Sequence, residues 1–263
     1  MVITDLDNTL LDEKYNFTGA VPVLEKLKFL GIPLIFATSK TFAETLYFQK
    51  LAGISDPFVV ENGGAGYIPE NFLNEPFFEG EYYEIPLGVP FEELMEFMED
   101  FSALHGEEFL YLHSLSPEET SRLTGLPPHL AKLAKRRDWD VAFIPKRQEI
   151  IPVLKEEAEK RGWRLQKGGI FYHLTGNHTK ADALKEVLRD SGLEGSLIIA
   201  LGDSPNDLDM LKMADIPVLV SATAETEKMF KKEIENVRVY RERASRAWAK
   251  ALRDVLKEIE GGE

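Results

Sequence analysis

Short apolar runs in the first 60 residues alternate with a segment of helical periodicity. Residues 33–37 and 57–60 are continuous apolar runs with the length of buried strands, and residues 2–6, which begin with Val2-Ile3, also have the length of a buried strand. From Val21 to Leu30 an apolar residue recurs every three positions, which predicts a helix that ends near Gly31. Strands that alternate with helices imply right-handed crossovers, so this region predicts a parallel sheet covered by helices on both faces.

The same alternation returns after residue 180, whereas the middle of the chain has a different pattern. Residues 77–167 are rich in proline and glycine punctuation at their start and then mix helical and strand signals. The predicted elements of the middle region are helices 91–104, 130–136 and 151–161, a helix start at Ser116-Pro117, and strands 109–112, 140–144, 164–166 and 171–174. Those that follow it are helices 181–191, 205–213, 225–232 and 245–260, with strands 197–201, 216–220 and 237–240.

These patterns together predict an α/β protein with two parts. A doubly wound, Rossmann-like parallel-sheet core is expected from residues 1–78 and 172–263. A smaller α+β domain of residues 79–171 is expected to be inserted into it as a cap. Ligands of such sheets bind beyond the carboxyl ends of the strands, so polar residues at those ends are the first candidates for function.

Acidic residues follow two of the predicted core strands. Asp5 and Asp7 come at the end of the first strand, where residues two apart point to the same face. One carboxylate could attack a substrate and the other could shuttle a proton. Alone, such a pair is equally well a set of solvated acids in a turn. A second group, Asp203 and Asp207, follows the strand at 197–201, and this places acids from two strand ends at one edge of the sheet.

Four segments carry a resemblance to a known family. They are Asp5-Leu6-Asp7-Asn8-Thr9, Thr38, Lys180 and the run from Gly202 to Asp207, in that order. The chain resembles the haloacid dehalogenase superfamily of aspartate-nucleophile phosphohydrolases. The resemblance implies that Asp5 is the nucleophile, that Asp7 is the general acid and then the base, that Thr38 holds a phosphoryl oxygen, and that Lys180 neutralises charge. As separate signals, Thr38 could equally form a simple turn and Lys180 could be a surface lysine.

The acids also predict a divalent cation. Two carboxylates beside a phosphate dianion repel it by several kcal/mol, since unit charges ~4 Å apart interact by about 4 kcal/mol at an effective dielectric of 20. Mg²⁺ prefers oxygen ligands from carboxylates, substrate and water. By resemblance its ligands are the Asp5 carboxylate, the Asp7 carbonyl and Asp203, with Asp207 or Asn206 reaching it directly or through water. Ordinary helix capping is the alternative reading of residues 204–207.

Longer segments are similar to the family of mannosyl-3-phosphoglycerate phosphatases. They are residues 38–41, 61–63, 124–128 and 171–177. The resemblance implies hydrolysis of a glycosyl-3-phosphoglycerate through an aspartyl-phosphate, with a broad-range sugar-phosphate phosphatase or a phosphosugar mutase as alternatives. Val141 and Ala142 depart from the family pattern, which leaves the sugar open. The substrate-binding residues implied are Ser39, Lys40, Glu61, Asn62, Gly63, Arg137, His173 and Asn206. A turn at 61–63 and a hydrogen bond within the sheet at His173 are the alternatives.

Charge and composition limit the classes of binding partner to be expected. The 263 residues carry a formal net charge of −14, which repels nucleic acid. We therefore expect a small phosphorylated substrate and no nucleic acid or membrane partner, with the protein a monomer or dimer. There is no cysteine, so thiolate chemistry and disulfides are excluded. The absence of a long apolar run or a basic-then-apolar leader predicts a cytoplasmic protein.

Overall fold

The computed structural model describes residues 1–73 and 81–261, and these form two β-sheets with flanking helices. The strands are β1 (Val2–Thr4), β2 (Leu34–Ala37), β3 (Phe58–Val60), β4 (Ala65–Pro69), β5 (Tyr82–Pro86), β6 (Phe109–Tyr111), β7 (Asp140–Pro145), β8 (Arg164–Gly168), β9 (Phe171–Thr175), β10 (Ile199–Gly202), β11 (Ile216–Leu219) and β12 (Arg238–Val239). The helices are α1 (Val21–Phe29), α2 (Phe42–Ala52), α3 (Phe91–His105), α4 (Pro117–Thr124), α5 (Pro128–Ala134), α6 (Ile151–Lys160), α7 (Lys180–Asp190), α8 (Leu208–Lys212), α9 (Ala224–Glu233) and α10 (Ala244–Gly261).

The larger sheet has eight strands in the order β12-β11-β10-β1-β2-β3-β4-β5. The first six in this order pair in parallel, whereas β4 and β5 pair antiparallel. Helices α1, α2 and α10 pack on one face, and α7, α8 and α9 pack on the other. The predicted α/β class with a doubly wound core is confirmed. The sequence patterns did not predict β4 and β5.

The smaller sheet has the order β6-β7-β9-β8, and all of its pairs are antiparallel. Helices α3 and α6 pack on one face of it around Phe97, Phe143 and Leu154. Helix α5 packs instead against α2 of the larger unit, where the hydroxyl of Thr41 donates to the carbonyl of Leu133 at 3.2 Å. The inserted segment therefore contacts a core helix through α5.

The division into residues 1–78, 79–171 and 172–263 stays a prediction, and its first boundary lies outside the described residues. Two strands near the boundaries have clear sheet membership: β5 belongs to the larger sheet and β9 belongs to the smaller one. Hydrogen bonding of the backbone would therefore divide the chain after β5 and after β9. This places both connections on the same side as the carboxyl ends of the central strands.

Four neighbouring strands end side by side in the order β10-β1-β2-β3. Because these strands are parallel, their carboxyl ends lie along one edge of the sheet. The residues that follow them directly or one position later are Asp203, Asp5, Thr38 and Glu61.

Candidate active site

Asp5 and Lys180 form the buried base of the site. Asp5 follows β1 directly, and Lys180 is the first residue of α7, which Thr179 caps through its hydroxyl and the amide of Asp182. The ammonium of Lys180 donates to Asp5 Oδ1 at 2.6 Å and to Asp207 Oδ1 at 2.7 Å. Only 1% of the lysine side chain is exposed, so this cation serves the two acids and not the solvent. The prediction that acids from two strand ends share one place is met by this geometry.

The turn after β10 is organised by Asp207. Its Oδ2 accepts from the backbone amides of Asp203 at 3.0 Å and Ser204 at 3.1 Å. A Cβ on Gly202 would lie 2.5 Å from the Asp207 Cβ, so only glycine permits this tight return. The capping role that the sequence offered as an alternative is therefore present, and it occurs together with the Lys180 contact. One oxygen of Asp207 shapes the turn and the other holds the lysine.

The acids of this site exceed its cations. Carboxylate oxygens of Asp5, Asp203 and Asp207 all lie within 4.8 Å of one another. Burial raises the pKa of Asp5 to about 7, with Lys180 opposing and the neighbouring acids adding to the rise. Burial, and then the charges of Asp5 and Asp207, raise the pKa of Asp203 to about 8. Three oxygen donors that repel one another are the arrangement that a hard divalent cation relieves.

Asp7 lies on the open side of the same strand end and pairs with Lys40. Lys40 Nζ is 2.9 Å from Asp7 Oδ1 and 3.6 Å from Glu44 Oε1. Although burial works against the cation, the carboxylates of Asp7 and Glu44 raise the pKa of Lys40 above its ordinary value. The lysine predicted as a substrate anchor is thus held by two acids of its own chain.

Thr38 is fully buried at the end of β2. Its hydroxyl oxygen accepts from the amide of Lys40 at 3.1 Å. That bond uses a lone pair of the hydroxyl oxygen, so it does not use the hydroxyl proton. The simple turn considered from the sequence is therefore present, and it orients the hydroxyl.

Glu61 and Gly63 connect the strand ends to other parts of the fold. The carboxylate of Glu61, fully buried, accepts from the amides of Asp138 at 3.1 Å and Trp139 at 3.0 Å. Burial raises the pKa of Glu61, while Arg137 opposes the rise. Gly63 has a φ of 102°, and a Cβ there would lie 2.1 Å from the carbonyl oxygen of Thr179. Gly63 therefore allows the turn to pack against the start of α7, next to Lys180.

Arg137 joins the inserted segment to the core loop. Its guanidinium donates to the carbonyl oxygen of Ser39 at 2.8 Å and lies 2.9 Å from Asp140 Oδ2. The same Asp140 oxygen lies 2.8 Å from His173 Nδ1. Although burial works against ionisation, Arg137 and then His173 hold the pKa of Asp140 below its ordinary value. The sequence predicted Arg137 as a fork for a substrate carboxylate. One of its nitrogens, Nη2, already bonds to Ser39 and Asp140, whereas Nε has no hydrogen-bond partner among the described residues.

A cavity of about 640 Å³ opens above these residues, between the two units. The predicted residues that line it are Asp7, Ser39, Lys40, Asn62, Arg137, His173 and Asn206. Asn206 also donates to the side-chain oxygen of Asn62 at 2.9 Å, which ties the β10 turn to the β3 turn. Lining residues that were not among the predicted site residues include Asn8, Tyr15, Glu44, Gln166 and Phe171. Tyr15 gave no motif signal, because its position depends on how the loop after β1 and helix α2 fold towards each other.

The β8–β9 hairpin supplies the upper wall of this cavity. Gln166 pairs with His173 across the two strands, so their side chains lie on one face of the small sheet. A Cβ on Gly168 would lie 3.0 Å from the imidazole of His173, and the glycine leaves room for that ring. Phe171 packs on the same face with Ala142 and Leu112. The wall therefore offers an imidazole and an amide beside an apolar ring.

Comparison with known families gives one match over most of the chain. The model of the haloacid dehalogenase-like hydrolases matches residues 2–111 and 132–237. A glucosyl-3-phosphoglycerate/mannosyl-3-phosphoglycerate phosphatase of Persephonella marina is 37% identical over all of this chain and 99% of its own length. A mannosyl-3-phosphoglycerate phosphatase of Pyrococcus furiosus is 34% identical over 84% of this chain and 90% of its own.

Solved structures share the fold at low identity. A haloacid dehalogenase-like hydrolase from Bacteroides thetaiotaomicron superposes with a TM-score of 0.70 at 17% identity, over 97% of this chain and 98% of its own. The sucrose-phosphatase of Synechocystis, solved with sucrose and phosphate, gives a TM-score of 0.61 at 18% identity, over 96% of each chain.

Proposed function

The chain belongs to the haloacid dehalogenase-like hydrolase family, and on that premise we propose that it hydrolyses a glycosyl-3-phosphoglycerate to a glycosylglycerate and phosphate. The observation that carries the proposal is the pair of bonds from Lys180 to Asp5 and Asp207, which assembles a nucleophile site from two strand ends. The names of the relatives from Persephonella marina and Pyrococcus furiosus support the substrate.

The proposed reaction has two steps that the chain's own groups carry. Asp5 attacks phosphorus and forms the aspartyl-phosphate while the bond from phosphorus to the leaving oxygen breaks, and the Asp7 carboxyl gives its proton to that oxygen. Asp7 then takes a proton from the water that attacks the aspartyl-phosphate, which frees phosphate and restores Asp5. Thr38 donates its hydroxyl to a phosphoryl oxygen, and Lys180 neutralises charge at the base of the site.

The donor set fits a divalent cation such as Mg²⁺. Asp203 receives a 3.2 Å hydrogen bond from the Thr9 hydroxyl at Oδ1, and this bond leaves Oδ2 of its carboxylate as a possible ligand. We propose Asp5, the Asp7 carbonyl and Asp203 as its ligands. Asp207, whose oxygens bond to Lys180 and the turn amides, is placed to reach the ion through water. When bound, such an ion offsets the charge of the acids and of the phosphoryl group.

The inserted segment supports a polar, multi-hydroxyl leaving group. His173, oriented by Asp140, and Gln166 present hydrogen-bonding groups to the cavity, and Phe171 offers an apolar surface. Val141, one of the two departures from the family pattern, packs in the core of the small unit towards α3 and α6. Ala142 is buried near Phe171. These departures change packing under the wall and leave its hydrogen-bonding groups in place.

A substrate panel tests the proposal. The purified protein with Mg²⁺ would be incubated with mannosyl- and glucosyl-3-phosphoglycerate, 3-phosphoglycerate and simple sugar phosphates, and phosphate release would give kcat/KM for each. We expect kcat/KM for the glycosyl-3-phosphoglycerates to exceed kcat/KM for the other compounds by at least about tenfold. Only the glycosyl-3-phosphoglycerates place groups against both the core side and the β8–β9 side of the cavity. Equal values across the panel would contradict the substrate, and conversion of a sugar phosphate to an isomer without phosphate would indicate a mutase.

A further inference from the structure

We infer that Lys40, with Glu44 behind it, is a positioning residue that fixes the orientation of the Asp7 carboxylate for proton transfer to the leaving group. This inference rests on the proposed role of Asp7. It replaces the expectation that Lys40 anchors the substrate. The carrying observation is the 2.9 Å contact from Lys40 Nζ to one oxygen of Asp7, in a side chain that is 5% exposed.

Lys40 is held from several directions. Its ammonium lies 3.6 Å from Glu44 Oε1 and over the rings of Tyr15 at 5.0 Å and Phe48 at 5.6 Å. A buried ammonium between two carboxylates and two aromatic faces has little rotamer freedom, because each alternative position would leave an unpaired charge in the interior. The ammonium therefore works as a fixed point for the side chain that bonds to it.

Glu44 is itself fixed by the helix that carries it. Its Oε2 accepts from the amide of Thr41 at 3.1 Å, and the Thr41 hydroxyl oxygen accepts from the amide of Glu44 at 3.2 Å. This reciprocal pair is the capping box at the start of α2. The second oxygen of Glu44 is then directed at Lys40. The rigid start of α2 thus fixes the position of the Lys40 ammonium, and the ammonium fixes the orientation of the Asp7 carboxylate.

The contact with Lys40 leaves one carboxylate oxygen of Asp7 for proton transfer. Lys40 bonds to Oδ1, and the Asp7 side chain is 37% exposed and lines the cavity. With Oδ1 held, rotation of the carboxylate is restricted and Oδ2 is the oxygen that can face the reacting groups. General acid catalysis requires the donor within hydrogen-bond reach of the leaving oxygen, so loss of this hold lowers the rate of the step that needs the proton.

Two substrates with different leaving groups distinguish the positioning role of Lys40 from a role in phosphate binding or in folding. A sugar-linked glycerate leaves as a basic alkoxide and needs a proton, whereas p-nitrophenolate is a stable anion and leaves without one. Because kcat/KM reports the reaction up to departure of the leaving group, a defect in Asp7 orientation affects the first substrate far more than the second. A defect in phosphate binding or in folding affects both.

The experiment compares Lys40→Met and Lys40→Met/Glu44→Gln with wild type on mannosyl-3-phosphoglycerate and p-nitrophenyl phosphate. The double variant removes one positive and one negative charge together, so that the test survives if the single variant is unstable with Glu44 unpaired. Lys26→Met, at an exposed ion pair with Glu260, is the matched control. Circular dichroism checks the fold, and Asp7→Asn gives the reference for a lost general acid.

We expect both Lys40 variants to lose about 100-fold in kcat/KM on mannosyl-3-phosphoglycerate and less than about threefold on p-nitrophenyl phosphate, and we expect the same dependence on the leaving group from Asp7→Asn. An equal loss on both substrates, or a rise in KM alone, would overturn the inference and return Lys40 to substrate binding. If Asp7→Asn shows no dependence on the leaving group, the proposed chemistry fails. If Asp7→Asn shows it and the Lys40 variants do not, only the positioning role fails.

Discussion

Two ionic clusters of this molecule differ in how their carboxylates are paired. The core cluster consists of Asp5, Lys180, Asp203 and Asp207 at the ends of β1 and β10. The junction cluster consists of Glu61, Arg137, Asp140 and His173, between the core and the inserted segment. Both are buried at their centres.

The core cluster has three carboxylates and one cation. Its single ammonium already bonds to Asp5 and Asp207, and Asp203 pairs with no lysine or arginine within residues 1–73 and 81–261. In the junction cluster each carboxylate bonds to a donor of the chain: Glu61 to two backbone amides and Asp140 to Arg137 and His173. We propose that the surplus of carboxylates in the core cluster attracts a cation, whereas the paired carboxylates of the junction cluster connect the inserted segment to the core.

The largest expected effect is at Asp5, the proposed nucleophile in the core cluster. Asp5→Asn keeps the shape of the side chain and removes the attacking oxygen, so we expect a loss of at least about 10³-fold in kcat on any phosphomonoester. Phosphate release in steady state is the measurement. Circular dichroism confirms that the fold is retained, and near-wild-type turnover by this variant would remove Asp5 as the nucleophile.

Removal of divalent cations should silence the wild-type enzyme, and added Mg²⁺ should restore it. The reason is the surplus of carboxylates in the core cluster, which repel the substrate when no cation is bound. A second readout is independent of turnover: Mg²⁺ should raise the Tm of wild type, since a ligand of the folded state stabilises it.

Asp203→Asn is the matched variant for the cation. It should lose most of the Mg²⁺-dependent rise in Tm while it keeps the wild-type circular dichroism spectrum. Full activity after EDTA treatment, or an equal Tm response in both proteins, would contradict the ligand assignment.

Arg137→Met tests the junction cluster. The change leaves the carboxylates of Glu61 and Asp140 without their guanidinium, and loss of one partner of a buried ion pair typically costs 3–5 kcal/mol. We expect a fall of about that size in the free energy of unfolding, measured with denaturant. Arg136→Met, at the exposed neighbouring position, is the control and should change stability little. A variant of unchanged stability with a raised KM would instead support the substrate fork that the sequence suggested.

The smallest effect concerns His178, between β9 and α7. Burial lowers the pKa of this imidazole below its ordinary value of 6.5 in the folded state. The unfolded chain therefore takes up the proton first as pH falls, so stability conferred by the neutral ring is complete above pH 6.5 and is lost below it.

His178 contributes at most about 1.4 kcal/mol per pH unit to the slope of the unfolding free energy against pH. His178→Gln should flatten the fall in unfolding free energy between pH 6.5 and 5 relative to wild type. Using the difference between the two proteins removes the contribution of His113, whose pKa is also lowered by burial. Identical slopes would show that His178 does not titrate in this range.

The sequence predicted the family, the α/β class and a phosphomonoester hydrolase, and the comparisons confirm these predictions. It could do so because the parallel strands end in short polar motifs that local pattern makes visible. No helix of the described ranges 1–73 and 81–261 is long and apolar enough to cross a membrane. The assignments of individual residues to roles stay predictions.

Other features could not be read from local pattern. The antiparallel strands β4 and β5 show no clear alternation of apolar and polar residues, and each forms through a neighbour, β4 by pairing with β3 and β5 by pairing with β4. Whether Lys40 and Arg137 face substrate or protein also has no local signal. Long cationic side chains reach whichever acid the tertiary structure brings near them, and here these are Asp7 and Asp140.

The sequence by itself therefore determined which acids lie at the strand ends, because periodicity and strand direction are local properties. The tertiary structure decided how the charges are shared, because pairing depends on distances of a few ångströms between segments far apart in the chain. Lys180 and Asp5 are 175 positions apart, and only the packing of α7 against β3 and β4 brings them to 2.6 Å.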